Sequence, residues 1–382
     1  MRKRRSVALL LETSNAYARG LLDGIIAYQR EHELWSIYVG EQQRGARPPV
    51  WIKTWKGDGI IARIETEAIA AAVRRSALPT VDVSAARLIP ELPWVETEDR
   101  EIAQMAARHL MDRGFRTLAF CGEPAFNWST WREKHFIEYA RQEGCECHVY
   151  RGKASIEKGY SWNRERARLG AWMRTLPKPV GVMACYDIKG QQLLDVCRDI
   201  DIAVPEQIAV IGVDNDVRLC RLCTPTLTSV VPDTRRAGYE AAQLLDRMML
   251  GETVNAEGIL IPPAGIAKRR SSDVNAIQDP DVVAAMRYIR EHACDGITVA
   301  DVLRVVPLSR RILEYRFQKL VGRSPHAEIV RTRIERTSRL LRETKLSLSQ
   351  IAGRTGFAQA NYLCAAFKKH VGLSPLAYRK KG

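Results

Sequence analysis

The sequence predicts an α/β region of two lobes built on parallel sheets, followed by an all-α C-terminal domain with two helix-turn-helix units. Three observations carry that expectation. Short apolar runs alternate with helical patterns from residue 6 to about 230. One phrase recurs near the end, "FQKLVGRSP" at 317–325 and "FKKHVGLSP" at 367–375. Positive charge is also concentrated there: residues 276–382 hold 20 Lys/Arg against 9 Asp/Glu, whereas the other 275 hold 39 against 35. Solubility does not require such asymmetry, but binding a polyanion does.

A chain of 382 residues has room for two or three domains, each with its own core. No apolar run reaches the length needed to span a bilayer. The start, "MRKRRSVALLLE", has an apolar run of five residues closed by Glu12, too short for an export signal, and is expected to be a basic tail feeding a buried strand of a cytoplasmic protein. The runs "VALLLE" (7–12), "GIIARI" (59–64), "PTVDVS" (79–84), "RTLAFCG" (116–122), "VGVMAC" (180–185) and "IAVIGVD" (208–214) read as strands buried on both faces. Helical patterns of ten or more residues lie between them, which means βαβ units. Ligands of such sheets sit beyond the carboxyl ends of the strands. The prolines and basic cluster of "IPPAGIAKRRSSDVNAIQDP" (261–280) break the pattern. A two-lobed α/β domain over 1–270, a linker over 271–281 and a basic helical domain over 282–382 are therefore expected.

In the repeated unit, Thr298–Asp301 and Ser347–Gln350 both read as capping boxes opening a short helix. A second helix follows each, at 308–322 and 357–372, and ends in Gly, which relieves the left-handed cap position. Ser-Pro then starts another helix. In the first copy Leu308, Ile312, Phe317 and Leu320 are spaced to face a core, leaving Arg310, Arg311, Glu314, Tyr315 and Lys319 elsewhere. In the second, Phe357, Leu363 and Phe367 face inward, and Gln359, Asn361, Tyr362 and Cys364 face solvent or a partner. Between the copies, a long helix with arginines at 331, 333, 336, 339 and 342 would hold the units at a fixed separation. Two helices joined by a tight turn, the second with basic residues outward, are the plan of a helix-turn-helix. Two such helices on one frame can enter successive major grooves, with Lys and Arg meeting phosphates.

The stretch "SLSQIAGRTGFAQANYLCAAFKKHVGLSPLAYRK" resembles the signature of AraC/XylS-type transcription regulators, and the likeness covers about 280–380. It implies base contacts from Arg310, Arg311, Glu314 and Tyr315 in the first unit and Gln359, Ala360 and Asn361 in the second, with Lys319 and Lys368 on the same helices. Many members carry Gln where Ala360 stands and Arg where Ala365 stands. Alanine cannot make those polar contacts, so the first unit is expected to dominate specificity.

The first 270 residues resemble the sensor domains of LacI/GalR repressors, which are similar to periplasmic binding proteins. The likeness lies in "SNAYARGLLDGI" (14–25), "GDGIIA" (57–62), "AARHLMDRGFRTLAFCG" (106–122), "WREKHFIEYA" (131–140) and "VPEQIAVIGVDN…TPTLTSV" (204–230). It implies a sugar site in which carboxylates accept from vicinal hydroxyls, an Arg fork donates, and an aromatic face covers the apolar side of the ring. Asp187 and Asp214 stand at carboxyl strand ends, Arg132 matches the family's sugar-contacting arginine, and Asn15 and Tyr17 lie on the first loop. Trp131, Trp128 and Tyr186 are the candidates for ring stacking, and Ser84 stands where related sugar binders often have Asp. A sensor of this kind joined to a C-terminal AraC-type domain has the layout of pentose-operon activators. That implies D-xylose as ligand, a homodimer on two half-sites, and contact with RNA polymerase. The alternatives are a different pentose or small ligand, or a thiol redox signal through Cys220 and Cys223.

No cofactor, metal or membrane partner is expected. The pairs Cys145/Cys147 and Cys220/Cys223 have ligand-like spacing but no second pair at zinc-site distance, and no nucleotide, hydrolase or metalloprotease motif is present.

Overall fold

The computed structural model describes residues 4–45, 47–254, 256, 258–273, 277 and 279–381. Contacts divide the chain into two compact units, 1–273 and 274–382. Of the expected linker, residues 274–276 and 278 lie outside the described residues. Ser271 and Ser272 are buried in the first unit, where Ser271 Oγ donates to the Val210 carbonyl at 2.6 Å.

In the first unit, β1 (Ser6–Leu10), α1 (Ala16–Glu31), β2 (Ser36–Val39), β3 (Gly59–Ala62), α2 (Glu67–Ser76), β4 (Thr80–Asp82) and β5 (Trp94–Thr97) build most of one lobe. The second lobe holds α3 (Asp99–Met111), β6 (Thr117–Gly122), α4 (Asn127–Gln142), β7 (Glu146–Arg151), α5 (Trp162–Thr175), β8 (Val180–Ala184), α6 (Asp187–Asp199), β9 (Ile208–Val213), α7 (Val217–Leu222) and β10 (Thr228–Val231). The chain then returns to the first lobe for α8 (Thr234–Met249) and β11 (Gly258–Ile261), and to the second for β12 (Gly265–Ala267). The sheets run β11-β5-β4-β3-β1-β2 and β12-β10-β9-β8-β6-β7. Every pairing is parallel except that of β12 with β10.

The chain therefore crosses between lobes three times, and the crossings are tied to each other. Glu98 N donates to Ile261 O at 2.8 Å, and Ala264 N to Val231 O at 2.8 Å. Three adjacent connecting segments are the place at which two lobes can turn against each other. In the first lobe α1 and α8 pack with their backbones nearly touching: a Cβ on Gly24 would strike the Arg235 carbonyl, and one on Gly238 the Leu21 carbonyl. Glycine is needed there for approach rather than for turning.

The second unit is helical: α9 (Pro280–His292), α10 (Val299–Leu303), α11 (Arg310–Val321), α12 (Pro325–Glu343), α13 (Leu348–Arg354), α14 (Ala360–Val371) and α15 (Pro375–Lys381). Both expected capping boxes form, at Thr298 with Asp301 and at Ser347 with Gln350. Gly322 and Gly372 close α11 and α14 at φ 77° and 78°. Arginines turn α12 into the frame. Arg333 donates to the carbonyls of Ala293 and Ile297, both at 2.7 Å, and Arg342 lies 5.6 Å from the Tyr378 ring. From α15, Arg379 donates to Leu341 O and Leu346 O.

One inward and one outward assignment change. Ile312 is 44% exposed and Leu313 is buried in its place beside Phe317. Cys364 is half-buried and packs on the core of Leu363 and Phe367 instead of facing solvent. Leu308, Leu320 and Phe357 are half-buried.

Candidate functional site

The carboxyl ends of both sheets meet in a cleft within the first unit. Its cavity, about 360 Å³ including the mouth, is lined by Tyr17, Arg44, Arg63, Val83, Ala85, Glu96 and Thr97 from the first lobe and its crossover, and by Trp128, Arg132 and Asp214 from the second.

Three of the six expected ligand residues meet here: Tyr17, Arg132 and Asp214. Arg132, buried on α4, donates from Nε to Asp99 Oδ1 at 2.6 Å and from Nη1 to the Cys185 carbonyl at 2.7 Å. The Trp128 ring lies 5.2 Å from its guanidinium. Asp214 sits just after β9 at φ 102°, a conformation that L side chains rarely adopt. Such strain persists only where the surroundings over-determine it. Here they do: Asp214 N donates to Val230 O at 3.1 Å, and Asn215 N to Ser229 Oγ at 2.9 Å. Burial pushes the Asp214 carboxyl above its ordinary range, while Arg132, Arg44 and Arg63 pull it back. Tyr17 lies under the Arg63 guanidinium at 4.9 Å, and burial pushes its hydroxyl up to about 12.

The other three stand behind the lining. Asp187 accepts from Ser229 Oγ at 2.6 Å, from Asp216 N at 2.7 Å and from Cys220 Sγ at 3.3 Å, so it braces the loop that carries Asp214. Burial and the nearby Asp214 push its carboxyl up to about 8. Asn15 caps α1 through Ala18 N and donates to Glu12. Trp131 meets the Arg87 guanidinium at 5.9 Å. Ser84 bonds Asp82 and Ile64 O.

Arg63, Glu96 and Arg44 were not read as site residues from the sequence. Arg63 and Glu96 stand at or just past the carboxyl ends of β3 and β5, so the rule that picked out Asp214 reaches them too. Glu96 pairs with Arg87 at 2.8 Å, and burial and Asp99 push it up to about 8. Nε of Arg44, Nε of Arg63 and Oδ2 of Asp99 are buried without a hydrogen-bond partner. Buried polar groups seek partners. Donors, acceptors and one indole face around a small cavity are the chemistry of a polyhydroxylated, uncharged ligand.

In the second unit, Arg310, Arg311, Glu314, Tyr315 and Lys319 are exposed on α11, as are Asn361 and Lys368 on α14 and Gln359 at its N-cap. Ala360 is half-buried. Arg310 pairs with Glu314 at 3.0 Å. Two side chains at equivalent places of the repeat, Ile312 and Tyr362, are also outward, 44% and 65% exposed. The 50-residue offset between Phe317 and Phe367 equates these two positions, and that was the signal available.

Models of known families match three stretches: the XylR N-terminal domain over 6–100, a periplasmic binding protein-like domain over 107–272 and a helix-turn-helix domain over 302–381. The chain is 34% identical to the xylose operon regulatory protein of Escherichia coli strain K12, over 99% of this chain and 97% of that one. It is 31% identical to the protein of the same description from Haemophilus influenzae, over 98% and 97%. A solved structure described as the xylose-binding transcription activator XylR superposes with a TM-score of 0.86 at 33% identity, covering 100% of this chain and 99% of that one. The first unit also shares its fold with a periplasmic binding protein/LacI regulator from Alkaliphilus metalliredigens complexed with D-xylulofuranose, TM-score 0.58 at 17% identity over 70% of this chain.

Proposed function

The chain belongs to the family of xylose operon regulatory proteins, and on that premise we propose that it is a D-xylose-responsive transcriptional activator and not an enzyme. The observation that carries the ligand side is the meeting of Arg132, Asp214, Glu96 and Trp128 across the cleft between two hinged lobes. A pentose bridging both lobes binds the closed arrangement better than the open one, and so raises its population. Closure then sets how α11 and α14 are presented to DNA. Two copies of the chain, each carrying two reading helices, occupy two half-sites, and contact with RNA polymerase belongs to this reading by family likeness.

The recognition surface is assigned to Arg310, Arg311, Glu314, Tyr315 and Lys319, with Gln359, Asn361 and Lys368 in the second unit. Ala360 supplies no polar contact, so α11 carries most of the base discrimination. The thiol alternative has less support: the Cys220 Sγ–H donates to Asp187, and burial pushes the Cys223 thiol up to about 12, which withholds the thiolate that redox chemistry needs.

The test is selection of duplexes from random DNA with the full chain, with and without D-xylose. Enrichment of a paired half-site motif that depends on D-xylose is the expected result. Enrichment indifferent to every pentose would contradict the ligand assignment, and absence of any enriched motif would contradict the regulator.

A further inference from the structure

Arg44 reaches across the cleft from the loop after β2. Its guanidinium carbon lies 5.1 Å from the Phe126 ring centroid, 5.2 Å from Trp128 and 5.1 Å from Tyr186. All three rings belong to the second lobe and come from the carboxyl ends of β6 and β8. They brace one another: Phe126 stacks on Trp128 at 5.1 Å and 16°, and Trp128 meets Tyr186 edge-on at 5.5 Å. Among the described residues no carboxylate lies within ion-pairing distance of Arg44; Asp214 and Glu123 are near enough to feel its charge, and the aromatic faces are what its guanidinium packs against. Such a cage is a known way to hold a cation. Here the cation comes from the same chain and the opposite lobe.

The cavity lining contains Arg44 and Trp128 but neither Phe126 nor Tyr186. Arg44 therefore stands between the ligand space and two aromatic rings, and its buried Nε carries no hydrogen-bond partner. We infer that Arg44 is a specificity-determining residue: the end wall of the sugar cavity, seated in the aromatic cage of the other lobe, which limits the ligand to a pentose. The inference rests on the sugar reading above. D-Glucose has the ring of D-xylose with one added hydroxymethyl group, and that group has to find room at an end of the cavity. Without the wall, the space opens onto Phe126 and Tyr186, a surface suited to the apolar side of a longer sugar.

The experiment uses the full chain and Arg44→Ala, titrated calorimetrically with D-xylose and D-glucose, with and without ethylguanidinium, the fragment that the substitution removes. The preference of the wild type for D-xylose over D-glucose is expected to shrink about tenfold or more in the variant, the scale of discrimination at a single added carbon. Ethylguanidinium should restore it, and without sugar should raise the thermal midpoint of the variant and not of the wild type. An unchanged preference, equal loss of both sugars, or a gain for glucose that ethylguanidinium does not reverse would overturn the wall. If the wild type binds neither sugar, the pentose reading falls and the wall falls with it, whereas sugar binding with an unchanged preference in Arg44→Ala overturns the wall alone.

Discussion

The cleft and the DNA-reading face both depend on charge, but they hold it in opposite ways. In the cleft, Arg63, Arg132, Glu96 and Asp99 are buried, and each is paired: Arg63 with Glu12 and Glu65, Arg132 with Asp99, and Glu96 with Arg87. On α11 and α14 the charged groups of the reading face, Arg310, Arg311, Glu314, Lys319 and Lys368, are exposed and mostly answer to solvent. Buried charge makes single residues decisive, because removing one partner leaves the other unpaired in a poorly polarisable medium. Exposed charge acts as a sum, screened by salt within about 8–10 Å.

The largest effect that separates the two should come from Asp214→Ala. D-Xylose affinity is expected to fall by about 100-fold or more, the scale of losing charge-assisted hydrogen bonds, while binding to arbitrary DNA at low salt stays unchanged. Calorimetry beside a DNA-binding titration measures both. A parallel loss of DNA binding would show that the substitution unfolds the chain.

Next comes the contrast between the two reading helices. Arg310→Ala or Arg311→Ala should cost about 1–3 kcal/mol on a selected site and relax its sequence preference. Gln359→Ala and Asn361→Ala should each cost less, because Ala360 leaves α14 poorer in polar groups. Equal losses from both helices would remove the dominance of the first unit.

A smaller effect is a pH dependence rooted in the cleft. Asp187 and Glu96 are pushed up to about 8 and Asp82 to about 7, burial being the largest cause in each. Between the ordinary carboxyl range near 4 and these raised values, the folded chain binds more protons than the unfolded one. Stability must therefore fall as pH rises through that window. The thermal midpoint is expected to be lower at pH 8.5 than at pH 6 by a few degrees, about 2–4 °C for each kcal/mol. A flat or rising midpoint over that range would contradict the burial of these carboxyls. The smallest effect belongs to the surface. Breaking the Arg310–Glu314 pair with Glu314→Ala should change stability by no more than about 0.5 kcal/mol, read by denaturant unfolding.

The same contrast decides what was legible in the sequence. Strands buried on both faces, such as Ile208–Val213, announce themselves as apolar runs. The edge strands Ser36–Val39 and Glu146–Arg151 have only one well-covered neighbour and carry polar residues, so they carry no such signal. Asp214 could be found because it follows an obvious strand. Arg44 could not, because its partners Phe126, Trp128 and Tyr186 are more than 80 residues away and belong to another lobe. Asp187 shows the limit of the strand-end rule: it has the expected place, but its oxygens are taken by Ser229, Asp216 and Cys220. In the helical unit the repeat gave more than spacing did, since equating Ile312 with Tyr362 places both outside.

The most direct measurement is a calorimetric titration of the full chain with D-xylose, L-arabinose, D-ribose and D-glucose, beside Asp214→Ala. The expected result is one D-xylose bound per chain, preferred over the other three and lost in the variant. Binding of no pentose, or D-xylose binding that survives Asp214→Ala undiminished, would contradict the assignment of this cleft as the xylose sensor.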